Sequence, residues 1–349
     1  MGPVEAVDHL VGLQAQAPWA PYFQLLSRLD GFVPDDLGRL LLDRTLVRVV
    51  TLRGTIHLMT VPDAAAIRPL VQAVLDRGLT SQKERREALE GADLDAIAAA
   101  GRPLIDAEAL TPKELGARLA QQFPGILPDA LATVVRNRVP TVQTTPRAVW
   151  GRQGAPRLMT FDAWVTGGSD GAPRTAVGPM ALDEVVRRYL AAFGPASVKD
   201  VQVWSGLTRL RAVVDGMDDV VPFVDEDGVE IYDLPDAPRP GDDAPAPVRL
   251  VGEFDNLLLS HADRRRFLAD EDRPRLATLN GVQPSTLLVD GEVAGWWRTE
   301  RTKGAITFVA QPWRRLPRGA GPGIRAEADR LLALIAPDLD RRDVRIMDP

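Results

Sequence analysis

Three times along this chain, apolar helical segments are followed by two β-rich runs, and this recurring order restricts the fold more than any other feature. The first round opens with Val4, Val7, Leu10 and Val11 at helical spacing. "PYFQLLSRL" and "PDDLGRLLLDRTL" follow, the latter with acids in its first turn. "VRVVTLRGTIHLMT" then reads as two strands around Arg53 and Gly54. In the second round, "TPKELGARLAQQF" has Thr111 as N-cap and Pro112 at the first helical position. "LPDALATVVRNRV" and the strand–turn–strand pattern "TVQTTPRAVWGRQGAPRLMT" complete it. The third runs through "ALDEVVRRYLAAFG", "SVKDVQVWSGLTRLRAVVDGM" and "VVPFVDEDGVEIYDL", with Gly206 in a helix–turn–helix turn and "DEDG" between strands. This is a repeat of architecture, not of sequence.

Helix–helix–hairpin is the winged-helix order. The predicted class is α+β: three tandem winged-helix units and a small C-terminal β-rich module. The units are placed at residues 1–62, 104–162 and 178–235, with a helical connector at 63–103. A linker rich in Pro and Asp occupies 236–248, and the C-terminal module with its terminal helix 249–349. In that module Asp290-Gly291 is a two-residue hairpin turn, a last helix is expected over about 324–335, and "GAGPG" at 319–323 reads as a loop.

Composition removes several classes of chemistry. The 349 residues contain no cysteine, so disulfides, thiol nucleophiles and Cys-zinc sites are excluded. The three histidines, His9, His57 and His261, lie far apart, with no HExxH spacing. Neither a P-loop, a GxGxxG after a strand, nor a GxSxG is present, and no metal or cofactor is expected. The N-terminus lacks a basic n-region and an apolar h-region, and no apolar run reaches membrane-spanning length, so a cytoplasmic location is expected.

The net charge is −6, but its distribution is segregated. Residues 130–160 hold Arg136, Arg138, Arg147, Arg152 and Arg157 and no acid, and residues 294–318 carry six cations against Glu300. Residues 215–243 hold eleven acids against Arg239. Such segregation lets one side hold DNA while the other is solvated, although charge runs of this kind also serve as plain solvated faces. Only four of the 42 basic residues are lysine; arginine's planar fork suits phosphate.

"VGLQAQAPWAP" places Gln14 and Gln16 two positions apart where the first apolar helix should end. From pattern alone, such glutamines cap carbonyls or face water. The blocks "GLQAQAPWAPYFQLLSRL", "LVRVVTLRGTIHLMT", "PRAVWGRQG", "GEFDNLLLSHADRRR" and "LLVDGEVAGWWR" together resemble the AlkZ/YcaQ family of bacterial DNA glycosylases, in order and over nearly the whole chain. The family's signature, Gln, an apolar residue, then Gln or Asp, falls on Gln14, Ala15 and Gln16. Gln as the second member resembles the AlkZ branch of antibiotic self-resistance enzymes. Two departures stand out. Relatives carry a further helix before the motif, whereas 13 residues precede it here, which suggests a shortened first unit or a trimmed start; and "TTPRAVW" replaces a Pro-Pro-Arg-Gly type of turn in the second wing.

The resemblance implies hydrolysis of the N-glycosidic bond of N7-alkylated guanine in double-stranded DNA by a monomeric, C-shaped protein. The cationic base is a good leaving group, so two amides that orient a water suffice. On this reading Gln14 and Gln16 are catalytic, Gln16→Asp retains or broadens activity, and Gln16→Ala loses most of it. His57 is a candidate lining residue, although a histidine in such a strand is more often structural. Arg53, Arg136, Arg138, Arg147, Arg152, Arg157, Arg298, Arg301 and Lys303 are candidate DNA contacts. The competing expectations are a winged-helix regulator without catalysis, which gives the glutamines no task, and a broad-specificity crosslink-repair glycosylase.

Overall fold

The computed structural model describes residues 1–167, 178–241, 243–276 and 284–349. The first two hairpins share one five-stranded sheet. Its strands are β1 (Leu13–Gln14), β2 (Leu46–Val50), β3 (Ile56–Thr60), β4 (Thr141–Gln143) and β5 (Leu158–Thr160), in the order β1-β3-β2-β4-β5. Val49 pairs with Val142 and fuses the two hairpins. The third hairpin, β6 (Val221–Val224) with β7 (Glu230–Asp233), forms a separate two-stranded sheet.

The helices before each hairpin follow their sequence signals. Pro34–Leu42 begins with Pro at its first position and two acids in its first turn. Thr111 caps Pro112–Leu119 in a full capping box with Glu114. Ser197 and Asp200 do the same for Val198–Ser205, which ends at Gly206 in the left-handed conformation. Four helices fill the connector: Val61–Ile67, Gln72–Leu79, Lys83–Ala88 and Leu94–Ala107.

One expected element is different. The helix over residues 4–13 stops early, at Pro3–His9. Val11 and Gly12 take positive φ values of 53° and 94°, and the chain leaves the helix to form β1. Leu13 and Gln14 pair with Leu58 and His57 of β3. The motif glutamines therefore stand on and just beyond an edge strand, not at a helix end.

The C-terminal module is a second five-stranded sheet of β8 (Arg249–Val251), β9 (Thr286–Val289), β10 (Glu292–Thr302), β11 (Ala305–Pro312) and β12 (Arg341–Ile346). Asp290 and Gly291 both have positive φ, as a two-residue hairpin turn between β9 and β10 demands. The final helix, Ala320–Ile335, starts earlier than expected: Gly319 is its N-cap and most of "GAGPG" is its first turn. Ala320 and Ile324 are buried there, so tertiary packing overrides the low helix propensity of glycine. β12, parallel to β11, has no counterpart in the sequence reading.

The first hydrophobic core draws on residues 6–75, 142–165 and 185–232, with Leu13, Tyr22, Leu58, Val142, Tyr189 and Trp204 within it. Tyr22 locks in the second unit, since its hydroxyl donates to Ala148 O at 2.7 Å and accepts from Trp150 N at 3.0 Å. Arg188 of the third unit binds the buried Asp63 of the connector. Among the described residues no helix is long and apolar enough to cross a membrane.

Candidate active site

Because β1 pairs Gln14 with His57, these side chains face one another across the sheet edge. Arg53 reaches them from the turn Leu52–Gly54 between β2 and β3, where its own φ is 57°. Its Nη2 donates to Gln14 Oε1 at 2.7 Å and lies 3.2 Å from His57 Nε2, while Nη1 donates to the carbonyl of Trp204 in the third unit. Gly206 makes room for this contact. It needs a φ of 79°, and a Cβ there would come within 3.2 Å of Arg53 Cα.

These partners fix the orientations of both polar groups. A guanidinium can only donate, so the oxygen of the Gln14 amide faces it. Thr55 O lies 3.2 Å from His57 Nδ1 and can only accept, so Nδ1 carries the proton and Nε2 offers its lone pair to Arg53. Burial, and then the Arg53 charge, push His57 down to about 3, so the ring is neutral in the folded protein. The stabilisation tied to the neutral ring is complete above the ordinary histidine value, about 6.5, and drains away as pH falls from there toward 3. His57→Gln should lose less melting temperature than the unaltered protein between pH 7.5 and 4.5. Parallel curves would refute this environment for His57.

The two glutamines differ. Gln14 is 4% exposed, its Oε1 is bound to Arg53, and its backbone carbonyl accepts from Gln24 Nε2 at 3.0 Å. Gln16 is exposed, and its one side-chain contact among the described residues is Ile56 N, 3.4 Å from its Oε1. Ala15 between them is held from below, where Arg48 Nη2 donates to its carbonyl at 2.8 Å. Arg48 is 2% exposed and, among the described residues, has no partner for Nε or Nη1. Burial, and then Arg147, lower it to about 10, still charged at neutral pH. Among the described residues no carboxylate hydrogen-bonds to Gln14, Gln16, Arg48, Arg53 or His57.

The basic residues singled out by sequence fall into distinct groups. Arg53 is turned inward and belongs with Gln14. Arg147 and Arg152 line a cavity of about 570 Å³ with Pro18 and Trp19, directly after the motif. Arg136 is half-buried beside Asn137, whose Oδ1 accepts from its Nε at 3.3 Å. Arg138 pairs with Asp76 and Asp95, Arg157 with Glu114, and Arg298 with Glu300. Solvent-accessible pairs of this kind are worth about 0–1 kcal/mol, little enough to be exchanged for a phosphate. Arg301 and Lys303 are exposed near the β10–β11 turn.

Sequence reasoning gave no task to Arg28, Asp255 and Asn256. Asp255 is fully buried and accepts Arg28 Nη1 and Nη2 at 2.8 and 2.6 Å, and the same Arg28 Nη1 donates to Gln24 O. Asn256 Nδ2 donates to Gly12 O at 2.9 Å. The C-terminal module thus braces the strand that carries Gln14 from both ends. The "FDN" triplet, a positive-φ residue before an Asp cap, marks the turn but not its distant partner.

A family model described as DNA glycosylase AlkZ-like matches residues 7–334. The interstrand DNA cross-link repair glycosylase of Streptomyces sahachiroi is 25% identical over 321 residues, covering 84% of this chain and 81% of that protein. The solved structure of the Streptomyces sahachiroi DNA glycosylase AlkZ has the same fold, with a TM-score of 0.76 at 20% identity over 99% of this chain and 94% of that one. With the family match running almost end to end, the chain belongs to the AlkZ-like family of DNA glycosylases.

Proposed function

We propose that this glycosylase hydrolyses the bond between C1′ and N9 of N7-alkylated guanine in duplex DNA, including bulky antibiotic adducts and interstrand crosslinks. The reading rests on one observation: among the described residues no carboxylate hydrogen-bonds to Gln14 or Gln16, and so none stands there as a general acid. A site of that kind cleaves only a base that is ready to leave. Alkylation at N7 supplies this, because the cationic base takes the glycosidic electron pair and departs neutral. Water adds its oxygen to C1′ and gives up a proton to solvent.

The exposed amide of Gln16 orients that water through its Oε1. Gln14 has a different task. Arg53 holds its oxygen and polarises the amide, so that Nε2 becomes the better donor toward the water or the deoxyribose. Unmodified guanine, a poor leaving group, survives.

Three winged-helix units at 1–62, 104–162 and 178–235, joined by the 63–103 connector and followed by the 236–248 linker and the 249–349 module, would form an open C-shaped surface. Such a surface suits lesions too large for a closed base pocket. Arg147 and Arg152 are the foremost phosphate contacts, and Arg136, Arg138, Arg157, Arg298, Arg301 and Lys303 supply further cations along the duplex. The protein acts as a monomer on chromosomal DNA in the cytoplasm.

The test is to incubate the protein with N7-alkylated duplex and cleave abasic sites with alkali. Strand breaks at modified guanines are expected, and they should vanish in the Gln14→Ala Gln16→Ala variant. Tight binding without breaks would identify a DNA-binding protein without this activity.

A further inference from the structure

A second cationic cavity lies on the Arg53 side of the site, with a volume of about 500 Å³. Lys199 and Val203 of helix Val198–Ser205 form one wall, and His261, Ala262, Arg264 and Arg273 contribute to the others. The same helix supplies the Trp204 carbonyl that anchors Arg53. Arg264 is close enough to Arg53 to depress its basicity after the larger effect of burial.

The cations here are not balanced from within. In "ADRRR", Arg265 pairs with Asp263 and Asp227, and Arg266 donates to Pro195 O. Arg264, lying between such neighbours and half-buried, makes no side-chain hydrogen bond or ion pair among the described residues, and neither does Lys199. Arg273 has, among the described residues, only Asp270, at 3.5 Å. Asp200, the other nearby acid, is occupied by Ser197 and the Ala262 N–H. His261 is held neutral, chiefly by burial. A half-buried guanidinium is costly without an anion, and this one faces a second guanidinium and an ammonium instead.

We propose that the Lys199–Arg264–Arg273 cavity binds a backbone phosphodiester of the DNA strand that carries the lesion, next to the nucleotide held at Gln14 and Gln16. A phosphodiester fits because its two free oxygens match the fork of Arg264, and a single negative charge suits a shallow cluster with one cation already partly paired. The inference rests on the glycosylase reading, but its measurement is independent of base release.

The experiment is fluorescence anisotropy of a short labelled duplex over a salt series, with the unaltered protein, Lys199→Ala Arg264→Ala, and Arg264→Lys. The double variant should bind about tenfold more weakly at low salt, with the slope of log K against log salt shallower by about 0.9, the value of one phosphate contact. Arg264→Lys should recover most of the slope. An unchanged slope and affinity overturns the proposal. So does an unchanged slope together with a rise in melting temperature in millimolar inorganic phosphate, which would make the cavity a free-phosphate site. If the double variant melts early, Arg264→Gln alone must still flatten the slope for the proposal to stand. A slope that flattens in the double variant of a protein that releases no base sinks the activity and leaves the cavity intact.

Discussion

Replacing Gln16 by alanine is expected to slow base release by roughly 100- to 1,000-fold at saturating protein, because on the proposed mechanism the amide that orients the water is lost. DNA affinity should barely change, since Gln16 is an exposed neutral amide bound only to Ile56 N. Gln16→Asp keeps an acceptor at the same place and should retain activity. Gln14 should respond differently. Gln14→Glu preserves the contact with Arg53 as an ion pair, so melting temperature should hold or rise, yet it removes the Nε2 hydrogens and should cost nearly as much rate as alanine. Full activity in Gln14→Glu would show that the Gln14 amide nitrogen has no part in the reaction. Equal tolerance of alanine at both positions would remove the mechanism altogether.

The largest expected effect on stability comes from Asp255→Ala. Asp255 is fully buried, receives both terminal nitrogens of Arg28, and caps the short helix Asn256–Leu259 through Leu257 N. Removing it strands a largely enclosed cation and uncaps the helix, at a cost of about 3–5 kcal/mol. Urea denaturation should show this as a lower midpoint with an unchanged slope. Activity should fall as well, because Arg28 also donates to Gln24 O and Gln24 holds the carbonyl of Gln14. A variant as stable as the unaltered protein would mean that the Arg28–Asp255 pair merely breaks even against its desolvation.

What could be read from the sequence followed local chemistry. Thr111 with Glu114, Ser197 with Asp200, Pro34 at a helix start and Asp290-Gly291 in a turn each act within a few residues, so composition and spacing revealed them. β1 was hidden because Val4, Val7, Leu10 and Val11 continue a helical period into a segment whose conformation is set by β3, more than forty residues away. β12 was hidden because an edge strand reading "RRDVRI" shows mostly charge. At the site, the glutamines were visible only through family resemblance, and nothing in "RGTIH" revealed that Arg53 turns inward to fix Gln14 and the His57 tautomer. Likewise, three successive arginines look alike in sequence; only the fold separates Arg264, which has no acceptor among the described residues, from Arg265 and Arg266, which do.

The strand bearing Gln14 is the rim of its sheet, and Ala15 N bonds inward to Ile56 O, so the carbonyls of Gly12 and Gln14 point away from β3. Both are already satisfied, by the side-chain amides of Asn256 and Gln24. A foreign strand that tried to add there would find both of these acceptors taken. The rim that carries Gln14 therefore has its two outward carbonyls closed to strand addition.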